Sequence, residues 1–161
     1  MTNIAYIGFG SNLGDSMAIL AMTKNEIDAV EGFSLKKLSP LYRTKPIDVT
    51  DSQDDYINAV FEIETILDAE VVLQELTNIE NRHGRSRCEV KNIARTLDLD
   101  LLLFGNKKMK SKTLILPHPR IYQRAFVLFP LFDLSPELEI PGQGNVQTLL
   151  DNVRDQEVEQ L

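Results

Sequence analysis

One cysteine, Cys88, and two histidines are present in 161 residues. A lone cysteine excludes a disulfide framework, and no Cys/His spacing resembles a zinc site. No apolar run approaches the ~20 residues that span a bilayer. The start, Met1-Thr2-Asn3-Ile4-Ala5-Tyr6, has neither the basic n-region nor the long apolar h-region of a signal peptide. No repeat, low-complexity stretch or Pro/Gly/Ser linker divides the chain. Tryptophan is absent altogether. These absences leave one domain over residues 1–161, expected as a monomer in the reducing cytoplasm with no membrane partner.

Positive charge is also scarce. Lysine plus arginine total 17 against 24 acids, a formal net charge of −7, which argues against a general nucleic-acid binder. The deficit is uneven. Residues 80–124 hold eleven basic side chains and four acids, a local charge of +7, while six bases and twenty acids leave −14 elsewhere. A basic island in an acidic protein points to a local anion site.

Periodicity predicts a buried strand over residues 3–9, a helix over 16–30 stopped by Gly32, and strands over 33–43 and 55–66 around a polar loop containing Pro46. A helix capped by Asp68 follows over 69–83, with Val72, Leu73, Leu76 and Ile79 on one face. Residues 84–96 are polar and basic, 97–104 read as a strong strand, and an apolar helix is expected at about 120–130. The tail after Pro141 is weakly patterned. The order predicts an α+β fold. It is the ferredoxin-like βαββαβ pattern, an antiparallel sheet with helices on one face and a C-terminal helical extension.

The sharpest chemistry lies in Arg95-Thr96-Leu97-Asp98-Leu99-Asp100-Leu101-Leu102-Leu103-Phe104. Strand side chains alternate, so Leu97, Leu99, Leu101 and Leu103 share one face and Asp98 and Asp100 the other, roughly 6.5–7 Å apart along the strand. Two parallel carboxylates repel unless a cation or basic groups lie between them. Magnesium takes one or two carboxylates plus substrate phosphates. A half-exposed edge strand with solvated acids is the alternative. The neighbouring Gly84-Arg85-Ser86-Arg87 and Arg95 suit phosphoryl transfer, in which catalysis is largely positioning and charge neutralisation. A solvated basic loop is the alternative there.

Leu116-Pro117-His118-Pro119-Arg120 places His118 at an expected helix N-terminus with Arg124 one turn beyond Arg120, a geometry that favours anions. A structurally bonded histidine is equally open. His83, at a helix end, reads as a dipole partner. Gly8-Phe9-Gly10-Ser11-Asn12-Leu13-Gly14-Asp15 is spaced GxGxxxG rather than GxGxxG and lacks repeated parallel βαβ units, so a dinucleotide fold is rejected. A turn serving the fold and direct substrate contact both remain open for it. Cys88 reads as an incidental thiol, and Lys107, Lys108, Lys110 and Lys112 as a solvated turn from which one lysine can reach a nucleotide.

Taken together, Gly10-Ser11-Asn12-Leu13-Gly14-Asp15, Tyr42-Arg43-Thr44, Tyr56-Ile57-Asn58-Ala59, Arg95-Thr96-Leu97-Asp98-Leu99-Asp100, Pro117-His118-Pro119-Arg120, Arg124-Ala125-Phe126 and Pro130-Leu131 resemble, in order and spacing, the 6-hydroxymethyl-7,8-dihydropterin pyrophosphokinases. The resemblance runs from about residue 4 to residue 138. It implies transfer of the terminal pyrophosphate of ATP to the hydroxymethyl group of a reduced pterin, with AMP released and two magnesium ions used. By position, Asp98 and Asp100 resemble the metal ligands, and Arg85 and Arg95, with Arg87 alongside, the arginines that close over the triphosphate. His118 and Arg124 resemble phosphate contacts, and Glu80, Leu101 and Lys112 residues of the ATP side. Thr44, Lys45, Ile47, Tyr56, Asn58, Asn92 and Phe126 correspond to the pterin pocket.

The departures are specific. Where the family reads Arg-Trp-Gly-Pro, this chain has Lys91-Asn92-Ile93-Ala94, so the aromatic lid is missing. Lys45 stands where proline is usual. A looser lid with intact chemistry is the expectation. A catalytically dead nucleotide- or pterin-binding module and a plain interaction protein are the readings from other classes.

Overall fold

A computed structural model describes residues 1–46, 53–84 and 97–161. The first half runs β1 (Asn3–Ser11), α1 (Ser16–Ala29), β2 (Phe33–Leu38), β3 (Tyr42–Thr44), β4 (Tyr56–Thr65) and α2 (Ala69–Arg82). Then come β5 (Asp98–Phe104), β6 (Met109–Lys110), β7 (Ile115–Leu116), a 3₁₀ turn (Ile121–Gln123) and α3 (Ala125–Leu134). β8 (Glu139–Ile140), β9 (Gly144–Asn145), α4 (Val146–Asp151) and β10 (Glu159–Gln160) complete the chain. No helix among the described residues is long and apolar enough to cross a membrane.

The fold is α+β. The main sheet is antiparallel, ordered β10-β3-β4-β1-β5, with β2 also pairing β4. β1 and β4 are central because their alternate residues are apolar: Ala5, Ile7, Phe9, Ala59, Phe61 and Ile63 are all buried on one face. Ile19, Leu20 and Ile27 of α1 and Val72, Leu76 and Ile79 of α2 cover that face. Asp15 caps α1, its Oδ1 accepting the Ala18 N–H at 3.1 Å. Gly32 ends the α1–β2 turn at φ +97°, where any Cβ would meet Leu67 Cγ at 2.8 Å.

Several expectations are corrected. α1 and α2 share one face as expected, but the C-terminal helices do not join them there. Ile121, Leu128 and Leu131, with Val146 and Leu150 of α4, pack on the opposite face against Tyr6, Val60, Leu102 and Leu103. The strand expected over 33–43 is two strands: Pro40, between them, has no N–H, and Ser39 before it makes both bonds to Val60 (its N–H donates to the Val60 carbonyl and its Oγ accepts the Val60 N–H, 2.9 Å each). Asp68 sits at the N-cap of α2 but makes no side-chain cap; Glu70 in the first turn complements the dipole instead.

Leu103 does not share the face of Leu97, Leu99 and Leu101. The β1–β5 register slips between Tyr6 and Ile7, which pair with Leu103 and Leu101 respectively. Such a bulge puts an extra residue in one strand and reverses the alternation beyond it, so Leu102 and Leu103 both enter the second core. The helix expected at 120–130 is a 3₁₀ turn, an extended Arg124 (φ −119°, ψ 106°), and only then α3. His118 and Pro119 therefore precede the α-helix by several residues instead of opening it.

Candidate active site

Among the described residues β5 is an edge strand of the sheet, paired with β1. An edge strand exposes unpaired main-chain groups, and here one side chain and one main-chain N–H occupy two of them. The Leu99 N–H donates to Glu80 Oε2 of α2 at 2.9 Å. The His118 N–H donates to the Leu102 carbonyl at 2.9 Å. The first bond fixes the residue between the two aspartates, and the second lays the Pro117–Arg120 turn alongside the same strand. Leu97, Leu99 and Leu101 anchor β5 in the core, and Asp98 and Asp100, half-buried, face the other way into a cavity of about 1240 Å³.

That cavity brings together much of what the sequence singled out. Its acidic and basic side is built from Asp98, Asp100, His118, Arg120 and Arg124. Thr44, Lys45, Tyr56, Asn58 and Phe126 line the same cavity. A smaller cavity of about 250 Å³ adjoins it, sharing Asp100 and His118 and lined also by Lys112 and by Leu101. Leu101 buries its side chain in the core, at 2% exposure, so it offers that space chiefly its backbone. Glu80 is buried too; its carboxylate lies on the β5 backbone and lines neither cavity. Arg85, Arg87, Asn92, Arg95 and Ile47, with Cys88, lie outside the described residues.

Burial sets the electrostatics. His118 is pushed down to about 4, first by desolvation and then by Arg124 and Arg120, with Asp98 pulling the other way. Its Nδ1 accepts the Arg120 N–H at 3.2 Å. A ring nitrogen that accepts carries no proton, so the tautomer is Nε2–H. The imidazole is a neutral donor. Burial also lowers Arg124, with Asp100 and Asp98 opposing that shift and Arg120 adding to it. Its guanidinium lies 5.5 Å from the centre of the Phe126 ring, a cation–π contact that orients both side chains. Asn58 is buried, and its Nδ2 donates to Thr44 Oγ1 at 2.9 Å and, at longer range, to the Tyr42 carbonyl. The amide plane is thereby fixed against β3.

His83 is the C-cap residue of α2, and its Nε2 meets Glu26 of α1 at 2.5 Å. It ties two helices together, away from the cavity. Among the described residues no three His, Cys, Asp or Glu side chains converge as a metal cage. Two carboxylates on one strand face are a donor set that fits magnesium, which takes its remaining oxygens from phosphate and water.

The sequence left a turn and direct substrate contact both open for Gly8 and Gly10, and it missed one further set of residues. Gly8 and Gly10 line the cavity from the central strand β1, where the lack of side chains lets a ligand reach the sheet. Their i, i+2 spacing inside a strand was the available signal, obscured by the glycine-rich turn that follows. Gln123, Gln156, Glu157 and Val158 supply a further wall, and the weakly patterned tail carried no signal for them.

A family model described as 7,8-dihydro-6-hydroxymethylpterin-pyrophosphokinase matches residues 6–136. The 2-amino-4-hydroxy-6-hydroxymethyldihydropteridine pyrophosphokinase of Bacillus subtilis is 40% identical over 139 residues, 86% of this chain and 82% of the relative. The protein of that name from Haemophilus influenzae is 37% identical over 157 residues, 98% of this chain and 97% of the relative. The crystal structure of Plasmodium falciparum HPPK-DHPS wild type superposes with a TM-score of 0.71 at 15% identity. It covers 94% of this chain, which spans 45% of that longer one, and at this identity the likeness speaks to fold alone. The chain belongs to the 7,8-dihydro-6-hydroxymethylpterin-pyrophosphokinase family. The activity that goes with membership is pyrophosphoryl transfer to hydroxymethyldihydropterin, in folate biosynthesis.

Proposed function

We propose that the large cavity is where this transfer occurs, with ATP as donor. The reduced pterin lies against Thr44, Tyr56, Asn58 and Phe126, and the triphosphate reaches Asp98, Asp100, His118 and Arg124 from the side of the smaller cavity. The observation that carries this reading is the meeting, in one cavity, of two strand carboxylates, a neutral imidazole donor and a half-buried arginine with a fixed amide and an aromatic ring. A flat polar heterocycle needs a ring to stack on and an amide to pair with. With Nδ2 held on Thr44, Asn58 keeps its carbonyl oxygen for the ligand.

In the reaction the substrate hydroxyl oxygen forms a bond to the β-phosphorus of ATP. The bond from that phosphorus to the α-bridging oxygen breaks, AMP leaves with the electron pair, and the hydroxyl proton is lost to solvent. Asp98 and Asp100 would hold the two magnesium ions that the family resemblance implies, and these would neutralise phosphate charge and polarise the attacking hydroxyl. Arg124 and the His118 Nε2–H supply donors that strengthen as charge develops on the transferred group. Because His118 is already neutral, it donates without having to give up a positive charge. Arg85 and Arg95, with Arg87, complete the neutralisation by the family resemblance. Lys112 reaches the nucleotide side, Lys45, Ile47 and Asn92 the pterin side. Glu80 serves the nucleotide side by holding the strand that carries the carboxylates.

The strand order β3-β4-β1-β5 with β2 beside β4 supports the ferredoxin-like βαββαβ reading, with α3 and α4 as its C-terminal helical extension. A monomeric cytoplasmic enzyme that binds neither nucleic acid nor membrane is the accompanying reading, supported by the −14 body around the basic window. AMP release from ATP, measured with and without hydroxymethyldihydropterin and magnesium, tests it. Release is expected only with all three, and Asp98→Asn is expected to abolish it in a protein with an unchanged circular dichroism spectrum. Turnover retained by Asp98→Asn removes that carboxylate from the role. ATP binding without AMP release favours a non-catalytic binding module.

A further inference from the structure

Arg124 sits at a break in the chain. The 3₁₀ turn ends at Gln123 and α3 begins at Ala125, leaving Arg124 alone in an extended conformation between two helical segments. The Ala125 N–H is among the orphan donors at a helix start, and the Arg124 side chain does not cap it. One side chain from the far end of the chain bridges the break. Gln156 Oε1 accepts the Ala125 N–H at 3.0 Å, and Gln156 Nε2 donates to the Gln123 carbonyl at 2.8 Å. These two main-chain groups flank Arg124. Because both bonds come from one planar amide, they hold the chain on either side of Arg124 in a single relative orientation.

Gln156 is itself anchored. Its N–H donates to the Val153 carbonyl at 3.1 Å, and three residues later β10 joins the edge of β3. The side chain it orients matters most. The Arg124 guanidinium is packed over Phe126 and lies in the field of Asp98 and Asp100. A change in the backbone angles at residue 124 would swing that guanidinium away from the carboxylates.

We infer that Gln156 is a positioning residue for nucleotide binding. Its amide staples the 123–125 backbone so that Arg124 points at the triphosphate; this rests on the reading of Arg124 as a phosphate contact. Gln156 is exposed at the surface, so its truncation opens no cavity and the variant folds.

The test is magnesium-dependent ATP binding by calorimetry, with Tm alongside, for the whole protein and for Gln156→Ala, Gln156→Glu, Arg124→Ala and the Gln156→Ala/Arg124→Ala pair. Losing two net hydrogen bonds that orient one charge weakens ATP binding by about three- to tenfold in Gln156→Ala. Gln156→Glu keeps the acceptor and loses the donor, so it falls between. Pterin KM stays within about twofold, since the contact acts through Arg124. In the Arg124→Ala background the Gln156 substitution adds no further loss. A lowered Tm with unchanged ATP affinity would make Gln156 a plain helix cap and overturn the proposal. So would an undiminished Gln156→Ala effect without Arg124. If Arg124→Ala weakens binding and Gln156→Ala does not, the staple alone fails. If Arg124→Ala leaves ATP affinity unchanged, the phosphate role of Arg124 fails and the staple falls with it.

Discussion

Glu80 is the residue whose structural role the sequence understated, and its removal has a calculable effect. It is 6% exposed, and its carboxylate accepts the N–H of Leu99 on the side of β5 that no strand among the described residues pairs. Glu80→Ala leaves that buried N–H without its acceptor, at a cost of about 1–3 kcal/mol. For a domain of this size each kcal/mol moves Tm by about 2–4 °C, so a midrange loss lowers Tm by about 4–8 °C. Glu80→Gln keeps an oxygen acceptor and loses only the charge assistance, roughly half the bond's strength. About 1 kcal/mol, or about 2–4 °C, is expected. Leu99 lies between Asp98 and Asp100, and a misplacement of about 1 Å can cost on the order of a hundredfold in rate. AMP release should therefore fall further than stability does, and further in Glu80→Ala than in Glu80→Gln. Hydrogen exchange gives the direct readout: the Leu99 amide is protected in the parent protein and exchanges faster in Glu80→Ala. A raised ATP KM in Glu80→Ala with unchanged Tm and unchanged Leu99 protection would refute the reasoning and make Glu80 a nucleotide ligand.

Three further outcomes follow from the site. In nucleotide- and metal-free protein the His118 ring signals stay at their neutral positions from pH 8 down to about 5, and an inflection near 6.5 would contradict the buried neutral imidazole. Because the folded protein then binds fewer protons than the unfolded chain, this group's contribution to stability is lost as pH falls from about 6.5 to about 4. Asn58→Ala removes the oriented amide and should raise pterin KM by about tenfold with ATP KM unchanged; equal effects on both substrates would mean a general collapse of the β3–β4 wall. Asn92→Trp restores the residue usual in the family and should tighten pterin binding, and no gain in affinity or rate would remove the missing tryptophan from the explanation of any weak binding.

Local pattern was enough for the part of the site that lies on one strand. Alternation put Leu97, Leu99 and Leu101 in the core and Asp98 and Asp100 on the cavity face. It failed at Leu103, because a bulge in a run of leucines leaves no polar residue to mark the slip. The apolar stretch after Pro119 reads as one helix for a related reason. Hydropathy is indifferent to whether Arg124 is helical or extended, and the group that bridges the extended residue comes from Gln156, far along the chain. For Gly8 and Gly10 the sequence left a turn and direct substrate contact both open. The pairing of β1 between β4 and β5 places them in the lining of the cavity.

The edge position of β5 links its stability to the site. A central strand is held on both sides by other strands, and nothing in a site need support it. Among the described residues β5 pairs only with β1, and its other side is held by a buried carboxylate and by the main chain of the very turn that carries His118. Each such bond contributes about 0.5–1.5 kcal/mol net, more for the charged acceptor. The turn is thus held to the strand at one end by the His118 N–H, while the imidazole of the same residue accepts from Arg120 and leaves its Nε2–H for the ligand. A triphosphate engaging both the Asp98–Asp100 face and His118 would span the two pieces that the Leu102 carbonyl joins. It would reinforce the one side of the strand that the sheet leaves open, so ligand binding should slow exchange of the His118 amide as well as the Leu99 amide. Slowing at neither position, with ATP and magnesium bound, would show that strand and site are mechanically independent.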